Sequence, residues 1–147
     1  MDPKETLLRA RNIQLRIDRR QAELRRLREM ETYLSATDYS TVAVRHSAGR
    51  GSVEAIATGS RLAELEERIT RDVKDLADAK LEAIGLIGLL EDTRYSEILW
   101  EYYIHALRTW EDVADAVGYN LRHTLRLHGE ALQLLRKMAL NVTPDQC

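Results

Sequence analysis

Apolar residues recur at spacings of three and four along two long segments of the chain, residues 3–34 and 61–91. Such spacing places side chains on one face of an α-helix, and the other positions here are crowded with charged residues. Each segment is therefore predicted to be a long amphipathic helix. The stripe residues are Ala10, Ile13, Ile17, Leu24, Leu27 and Leu34 in the first helix, and Leu62, Leu65, Ile69, Val73, Leu76, Ala83, Ile84, Ile87 and Leu90 in the second.

A single rod cannot bury its own stripe, so each helix needs a partner. We expect an antiparallel hairpin with coiled-coil-like packing over residues 1–91, which would also serve as an oligomerisation element. The competing arrangement pairs helices from different chains, and both hold if hairpins form a bundle in a dimer. Arg20 and Glu31 interrupt the first stripe. They indicate a specified register and leave open whether they pair within or between chains.

Residues 35–60 break the helical pattern, because Gly49, Gly51 and Gly59 fall among Ser, Thr and Ala. Glycine is the poorest helix former after proline. We therefore predict a flexible loop over residues 35–60, long enough for the chain to turn between the two rods.

Residues 92–139 contain three shorter amphipathic segments, each preceded by a capping residue. Asp92 or Thr93 is predicted to cap a helix that runs to about residue 106. Thr109 is predicted to cap the second helix, because the acidic Asp112 follows three residues later in the position of a capping box.

Gly118 is predicted to end the second helix in the left-handed backbone region. Asn120 is predicted to cap a third helix over residues 121–138. Its expected inward face is Leu121 or Thr124, with Leu125, Leu127, Ala131, Leu132, Leu134 and Leu135. The fold class is thus all-α: a long helical hairpin over residues 1–91, a three-helix helix-turn-helix domain over residues 92–139, and a frayed tail over residues 140–147.

Composition agrees with a helical chain and narrows the chemistry. Charged residues make up 31% of the sequence, and there are only two prolines. No apolar run approaches the ~20 residues that span a bilayer, so no membrane partner is expected. The single cysteine, Cys147, allows no disulfide framework within one chain, and a cytoplasmic location is the simplest expectation.

The sequence offers no catalytic constellation. It contains no Ser-His-Asp order, no paired carboxylates in a pocket-like context and no glycine loop that would cradle phosphate. His123 and His128 are five residues apart, which points them to different faces of a helix. We expect no enzymatic activity, no catalytic residue, no cofactor and no metal.

Charge is distributed unevenly along the chain. Residues 1–34 carry nine basic and six acidic side chains, whereas residues 61–92 carry five basic and nine acidic ones. Residues 93–117 carry two basic and five acidic side chains, and residues 118–138 carry four basic and one acidic. The third short helix is therefore locally basic within a chain whose net charge is −2.

Residues 109–132, TWEDVADAVGYNLRHTLRLHGEAL, combine this basic helix with the predicted turn. In a helix-turn-helix the second helix enters the major groove, and its first residues reach base edges. Arginine bonds bidentately to guanine, and histidine and asparagine also bond base acceptors. The predicted contacts to double-stranded DNA are Thr109, Asn120, Leu121, Arg122, His123 and Arg126. The alternative is the solvated face of a three-helix bundle, because αα-hairpins use the same pattern.

The stretch LEDTRYSEILWEYYIHALRTWEDVADAVGYNLRHTLRLHGEALQLL resembles region 4 of the sigma-70 factors. It is more similar to phage-encoded activators of the RinA and ArpU type, over roughly the last third of the chain. The matching residues are Tyr102, Tyr103, Ile104, Thr109, Trp110, Glu111, Asp112, Val113, Ala114, Gly118, Tyr119, Leu127, His128, Gly129, Ala131 and Leu132. The chain departs from the family at Glu101, Asn120, Leu121 and Thr124, which bears on sequence preference and affinity more than on fold.

The resemblance implies a sequence-specific regulator of phage or prophage late genes in the bacterial cytoplasm. Arg122, His123 and Arg126 would read the major groove, and the helix starts at Thr109 and Asn120 would face phosphates. A homo-oligomer, with a dimer preferred, would add avidity. One alternative is a sigma-like module that binds RNA polymerase without strong DNA binding, through Glu97, Glu101, Glu111 and Asp112. The other is a structural coiled-coil assembly protein.

Overall fold

The computed structural model describes residues 2–40 and 48–142, with the backbone alone for residues 35–40, 48–52, 54 and 142. Over these residues the fold is all-α, as predicted, and contains no strand. The helices are α1 (Pro3–Ser40), α2 (Ala48–Ile87), α3 (Thr93–Leu99), α4 (Trp110–Val117) and α5 (Leu121–Val142), and a π-helix (Trp100–Ile104) directly follows α3. In the described part of the chain, no helix is long and apolar enough to cross a membrane.

The predicted loop over residues 35–60 is wrong for most of its length. Residues 35–40 continue α1, and residues 48–60 belong to α2, while residues 41–47 lie outside the described part. Each glycine disfavours a helix by only about 1 kcal/mol, and a helix that is already formed propagates cooperatively. Packing adds to this, because Thr58 in this part of α2 and Leu62 just after it are buried.

The chain divides into two compact units, Arg16–Val73 and Met1–Leu15 with Lys74–Cys147. In the first unit, Leu24, Leu62 and Leu65 form a buried cluster, against which Leu27 and Ile69 pack. These are residues of the two predicted stripes, so the hairpin packs along its apolar seam. The boundary at residue 91 between hairpin and helix-turn-helix domain stays a prediction.

Asp72 explains the arginine that interrupts the first stripe. Its buried carboxylate accepts hydrogen bonds from Arg20 and from Arg16, the latter at 3.1 Å. Arg20 therefore pairs within its own chain. The pairs Arg28–Glu66 and Arg61–Glu23 flank the seam but are exposed, and such pairs stabilise a fold by less than about 1 kcal/mol each.

The second unit contains α3, the π-helix, α4 and α5. Its core includes Ile98, Val113 and Leu127, with Tyr95, Tyr102, Leu107, Trp110, Val117 and Tyr119 packed against them. The buried face of α5 comprises Thr124, Leu127, Ala131, Leu132 and Leu135. Leu125 was expected inside but is 42% exposed, because its neighbour Thr124 takes the inward position.

The predicted single helix up to residue 106 is interrupted. His105 N–H donates to the carbonyl of Trp100 at 2.9 Å, a five-residue π-type bond, and Ala106 takes a left-handed backbone with φ of 55°. The predicted end of the third helix at residue 138 is four residues short. Residues 140–142 of the predicted frayed tail belong to α5, and residues 143–147 lie outside the described residues.

Candidate nucleic-acid interface

The junction between α4 and α5 is built by three capping devices that the sequence indicates. The Thr109 hydroxyl accepts a hydrogen bond from Asp112 N–H at 3.1 Å, and this bond caps α4. Gly118 ends α4 with φ of 81°, where its N–H donates to the Ala114 carbonyl. Asn120 Oδ1 accepts from His123 N–H at 2.8 Å, and this bond caps α5. The two helices are thus joined through a tight turn, as predicted.

Thr124 shows why α5 keeps its first turn anchored. Its side chain is fully buried, and its hydroxyl donates to the Asn120 carbonyl at 2.9 Å. Since a buried hydroxyl must find a partner, this bond accommodates the threonine on the buried face of α5. The opposite side of this turn is left for Leu121 and Arg122, which are both exposed.

Arg122 is the least constrained of the candidate residues. It is exposed and forms no hydrogen bond or ion pair with any described residue. A guanidinium at the second position of a capped helix adds its full charge to the partial positive charge of the helix start. This part of α5 therefore favours an anionic or acceptor-rich ligand.

Arg126 and His123 are bound to each other instead. A guanidinium nitrogen of Arg126 donates to His123 Nδ1 at 2.7 Å, which leaves the Nε2 of a neutral imidazole to carry the proton. Glu130 lies 3.9 Å from the other side of Arg126 and accepts from the Tyr95 hydroxyl at 2.9 Å. Ligand binding by Arg126 would therefore exchange existing contacts for new ones.

Thr109 stands apart from the α5 residues because it begins a different helix. Its oxygen is occupied by the cap, and Glu111 and Asp112 follow in the first turn of α4. Two carboxylates at a helix start oppose the binding of phosphate there. Of the predicted contacts, Thr109 is therefore the weakest candidate, while Asn120, Leu121, Arg122, His123 and Arg126 lie together within two turns of α5.

His128 belongs to the core of the unit and not to the exposed face. Its ring centroid lies 4.5 Å from that of Trp110, and its Nε2 lies 2.8 Å from the Tyr103 hydroxyl. Burial lowers the pKa of His128 to about 4 and raises the pKa of Tyr103 above its ordinary value. The imidazole is therefore neutral at pH 7 and has a packing role.

Arg11 is a residue of this region that sequence reasoning missed. It is buried, and its guanidinium donates to the carbonyls of Tyr102 at 2.6 Å and Leu107 at 2.7 Å, with Arg108 farther off at 3.4 Å. It also lies 3.8 Å from the centre of the Tyr102 ring, and Trp110 stacks on this ring with the two centroids 4.0 Å apart. Arg11 thus supports the segment that leads into α4. An arginine among many in α1 gives no sequence signal of this role.

The outer face of α4 is acidic. Glu111, Asp112 and Asp115 are exposed, and their carboxylates form no ion pair with any described residue. The acidic and basic surfaces of this unit therefore lie on successive helices.

No protein family, no curated protein and no solved structure matches this chain.

Proposed function

We propose that the chain is a sequence-specific DNA-binding transcription regulator of the helix-turn-helix class, acting on phage or prophage late genes in the bacterial cytoplasm. In this proposal α5 enters the major groove, with Arg122 as the principal base contact. His123 and Arg126 contribute once their mutual hydrogen bond is exchanged for contacts with the duplex. The gene class is inferred from the resemblance to RinA- and ArpU-type activators.

The observation that carries the proposal is that Arg122 is exposed and has no described partner. An exposed arginine without a described partner follows a capped helix start, on a helix whose opposite face is packed into a core. Arginine in that position matches the acceptors of guanine in geometry and charge. Leu121 and Leu125 are exposed beside it and offer apolar contact to thymine methyl groups.

The test is fluorescence anisotropy with labelled prophage promoter fragments and a random duplex at about 50 and 200 mM salt. We expect the wild-type chain to prefer a promoter fragment and to bind less tightly at the higher salt. Arg122→Ala/Arg126→Ala should weaken specific binding by about tenfold or more, because each well-formed base contact is worth about 1–3 kcal/mol.

The matched control is Arg25→Ala/Arg26→Ala, which removes the same charge from an exposed part of α1, where neither arginine has a described partner. This variant should bind DNA like the wild type. The proposal is rejected if the wild-type chain does not bind at low salt, or if both double variants lose affinity equally.

The acidic face of α4 supports a second candidate, a sigma-like module that binds RNA polymerase. Glu111, Asp112 and Asp115 are available for a basic protein surface, whereas Glu101 is already bonded to His105 at 2.8 Å. Glu111→Gln/Asp115→Asn should abolish capture of purified polymerase and leave DNA binding intact or tighter. Capture that is unchanged in this variant would remove the acidic face from consideration.

A further inference from the structure

Helix α2 has a second apolar face, opposite the one that is buried. Its buried side includes Leu62, Leu65, Ala79, Ala83 and Ile87. On the outer side, residues follow one another at intervals of seven, and all are exposed: Ile56, Ala63, Thr70, Ala77 and Ile84. A seven-residue repeat is the spacing by which one helix packs along another. These residues are nevertheless not covered by a helix of the same chain, since Ile56 is 73% and Ile84 37% exposed.

This repeat reads the same in both directions from Thr70. Ala63 and Ala77 lie seven residues to either side, and Ile56 and Ile84 lie fourteen to either side. An antiparallel pair of identical helices related by a two-fold axis places residue i of one copy against its mirror position in the other. With the axis at Thr70, isoleucine meets isoleucine and alanine meets alanine.

Small residues at the centre of the repeat allow the helix backbones to approach closely. The Thr70 hydroxyl donates to the Glu66 carbonyl of its own helix at 2.9 Å, so its hydrogen-bonding need is already met. Leu81, which is 71% exposed, has Gly59 as its mirror position in the second copy. A Cβ built on Gly59 meets no atom within 4 Å, so the space there is free in the monomer.

The charges next to the repeat favour the antiparallel direction. Glu67 and Lys74 flank it on the same side, both are exposed, and neither has a described partner. In the antiparallel pair, Lys74 of each copy comes beside Glu67 of the other, which gives two equivalent ion pairs. A parallel pair in register would bring the two Glu67 side chains to one level and the two Lys74 side chains to another, so that opposite charges would not meet.

We propose that the outer face of α2 is a homodimer interface, which binds a second copy of this chain antiparallel about a two-fold axis at Thr70. This interface goes beyond the DNA-binding proposal, and its tests use no DNA.

Disulfide trapping tests the register in the full chain with Cys147→Ser, which removes the native thiol. Thr70→Cys should cross-link to its own copy on oxidation, because an axial position meets itself at disulfide distance. Ala63→Cys and Ala77→Cys should each form no disulfide cross-link alone and should cross-link to each other when mixed, one chain carrying a tag that gives the mixed dimer a distinct mass. Self-cross-linking of Ala63→Cys would mean a parallel pair, and absence of any cross-link would also overturn the proposal.

Sedimentation equilibrium tests the same interface by its charges, in variants that keep the native Cys147 and contain no introduced cysteine. Lys74→Glu should raise the dimer dissociation constant about tenfold, because two attractive pairs become repulsive. Glu67→Lys/Lys74→Glu exchanges the charges and should return the constant to within about threefold of the wild type. A wild-type chain that stays monomeric at all concentrations, or a double variant no better than the single one, would contradict the proposal.

Discussion

At the scale of single residues, His128 links the stability of the second unit to pH. Its imidazole is enclosed by Tyr102, Tyr103 and Trp110, with ring centroids 4.5–5.9 Å away. The nearest titratable group that accepts or shares a proton is the Tyr103 hydroxyl, while Lys4 contributes a weaker unfavourable charge. No carboxylate is bonded to this imidazole in the described part of the chain, so a proton added to it would be poorly compensated.

We therefore expect stability to fall as the solution is acidified. The pKa of His128 is about 4 in the folded chain and about 6.5 in the unfolded chain, so the unfolded state binds the extra proton between these values. The contribution is complete above about pH 6.5 and is lost as the pH falls towards 4, by about 2 kcal/mol at pH 5. Urea unfolding at a series of pH values measures this loss.

His128→Gln should flatten the dependence between pH 6.5 and 4.5, whereas the control His123→Gln should leave it unchanged. The exposed carboxyl groups of Asp2 and Asp92 also have lowered pKa values, from a backbone N–H and a side-chain bond to Arg94 respectively. They titrate at lower pH and so do not account for a transition above pH 5. An unchanged profile in His128→Gln would show that other groups cause the acid sensitivity.

At the scale of elements, the turn between α4 and α5 depends on one backbone conformation. Gly118 has φ of 81°, and a Cβ there would meet no atom within 4 Å, so a substitution is opposed by backbone strain alone. Gly118→Ala should destabilise the fold by about 1–2 kcal/mol. Gly129→Ala, placed within α5 where space is also free, should stabilise it by about 0.5–1 kcal/mol. Denaturant unfolding of the two variants gives the comparison.

The opposite signs of the two glycine variants are the informative outcome. Both changes add one methyl group to the same helix-turn-helix, and hydrophobicity alone would shift both in the same direction. If Gly118→Ala were as stable as the wild type, the left-handed turn would not form in solution, and the orientation of α5 relative to α4 would have to differ.

The elements that were predicted correctly are those fixed by local chemistry. Thr109, Gly118 and Asn120 act on residues within four positions of themselves, so their sequence signals suffice. The residues of α5 at the candidate site were also predicted to lie together, because the cap at Asn120 fixes where this helix begins. The predicted loop was wrong because it rested on the low helix propensity of the glycines alone. The packing of Thr58 and Leu62, which stabilises α2 in this region, has no local signal in the sequence.

The π-helix and the left-handed Ala106 had no comparable local signal. Their geometry exposes the carbonyls of residues 102, 107 and 108, and a donor from α1 satisfies these carbonyls. Likewise, the mutual bond between Arg126 and His123, and the burial of His128, depend on side-chain positions that spacing cannot supply. The sequence thus identifies the exposed face of α5, but it does not show which of the cationic side chains on this face is available to bind a ligand.

At the scale of the whole molecule, the start of α1 is part of the unit that carries the candidate interface. Arg11 bonds the segment before α4, and Asp2 accepts from Arg136 of α5 at 3.3 Å. The region after residue 91 therefore uses contacts made by the other end of the chain. Removing residues 2–11 should impair it even though none of them belongs to the proposed DNA-binding face.

Arg11→Lys should lower the free energy of unfolding by about 2 kcal/mol, because an ammonium cannot reproduce the forked bonds to several carbonyls. The near-ultraviolet circular dichroism of Trp110 should change as well, since Arg11 and Trp110 lie on opposite faces of Tyr102. Arg9→Lys is the control, because the Arg9–Glu82 pair is exposed. Equal effects of the two variants would show that Arg11 acts only as one more surface charge.

The bonds of Arg11 also set an order of events during synthesis on the ribosome. The donor precedes its carbonyl acceptors by 91–97 residues. At a translation rate of about 5–20 residues per second, roughly 5–20 s pass between the synthesis of Arg11 and the synthesis of its acceptors. In that interval Leu7 and Ala10, which are fully buried in the finished protein, have no completed core to enter. We therefore expect the nascent chain to be bound and protected by chaperones until its last third has emerged.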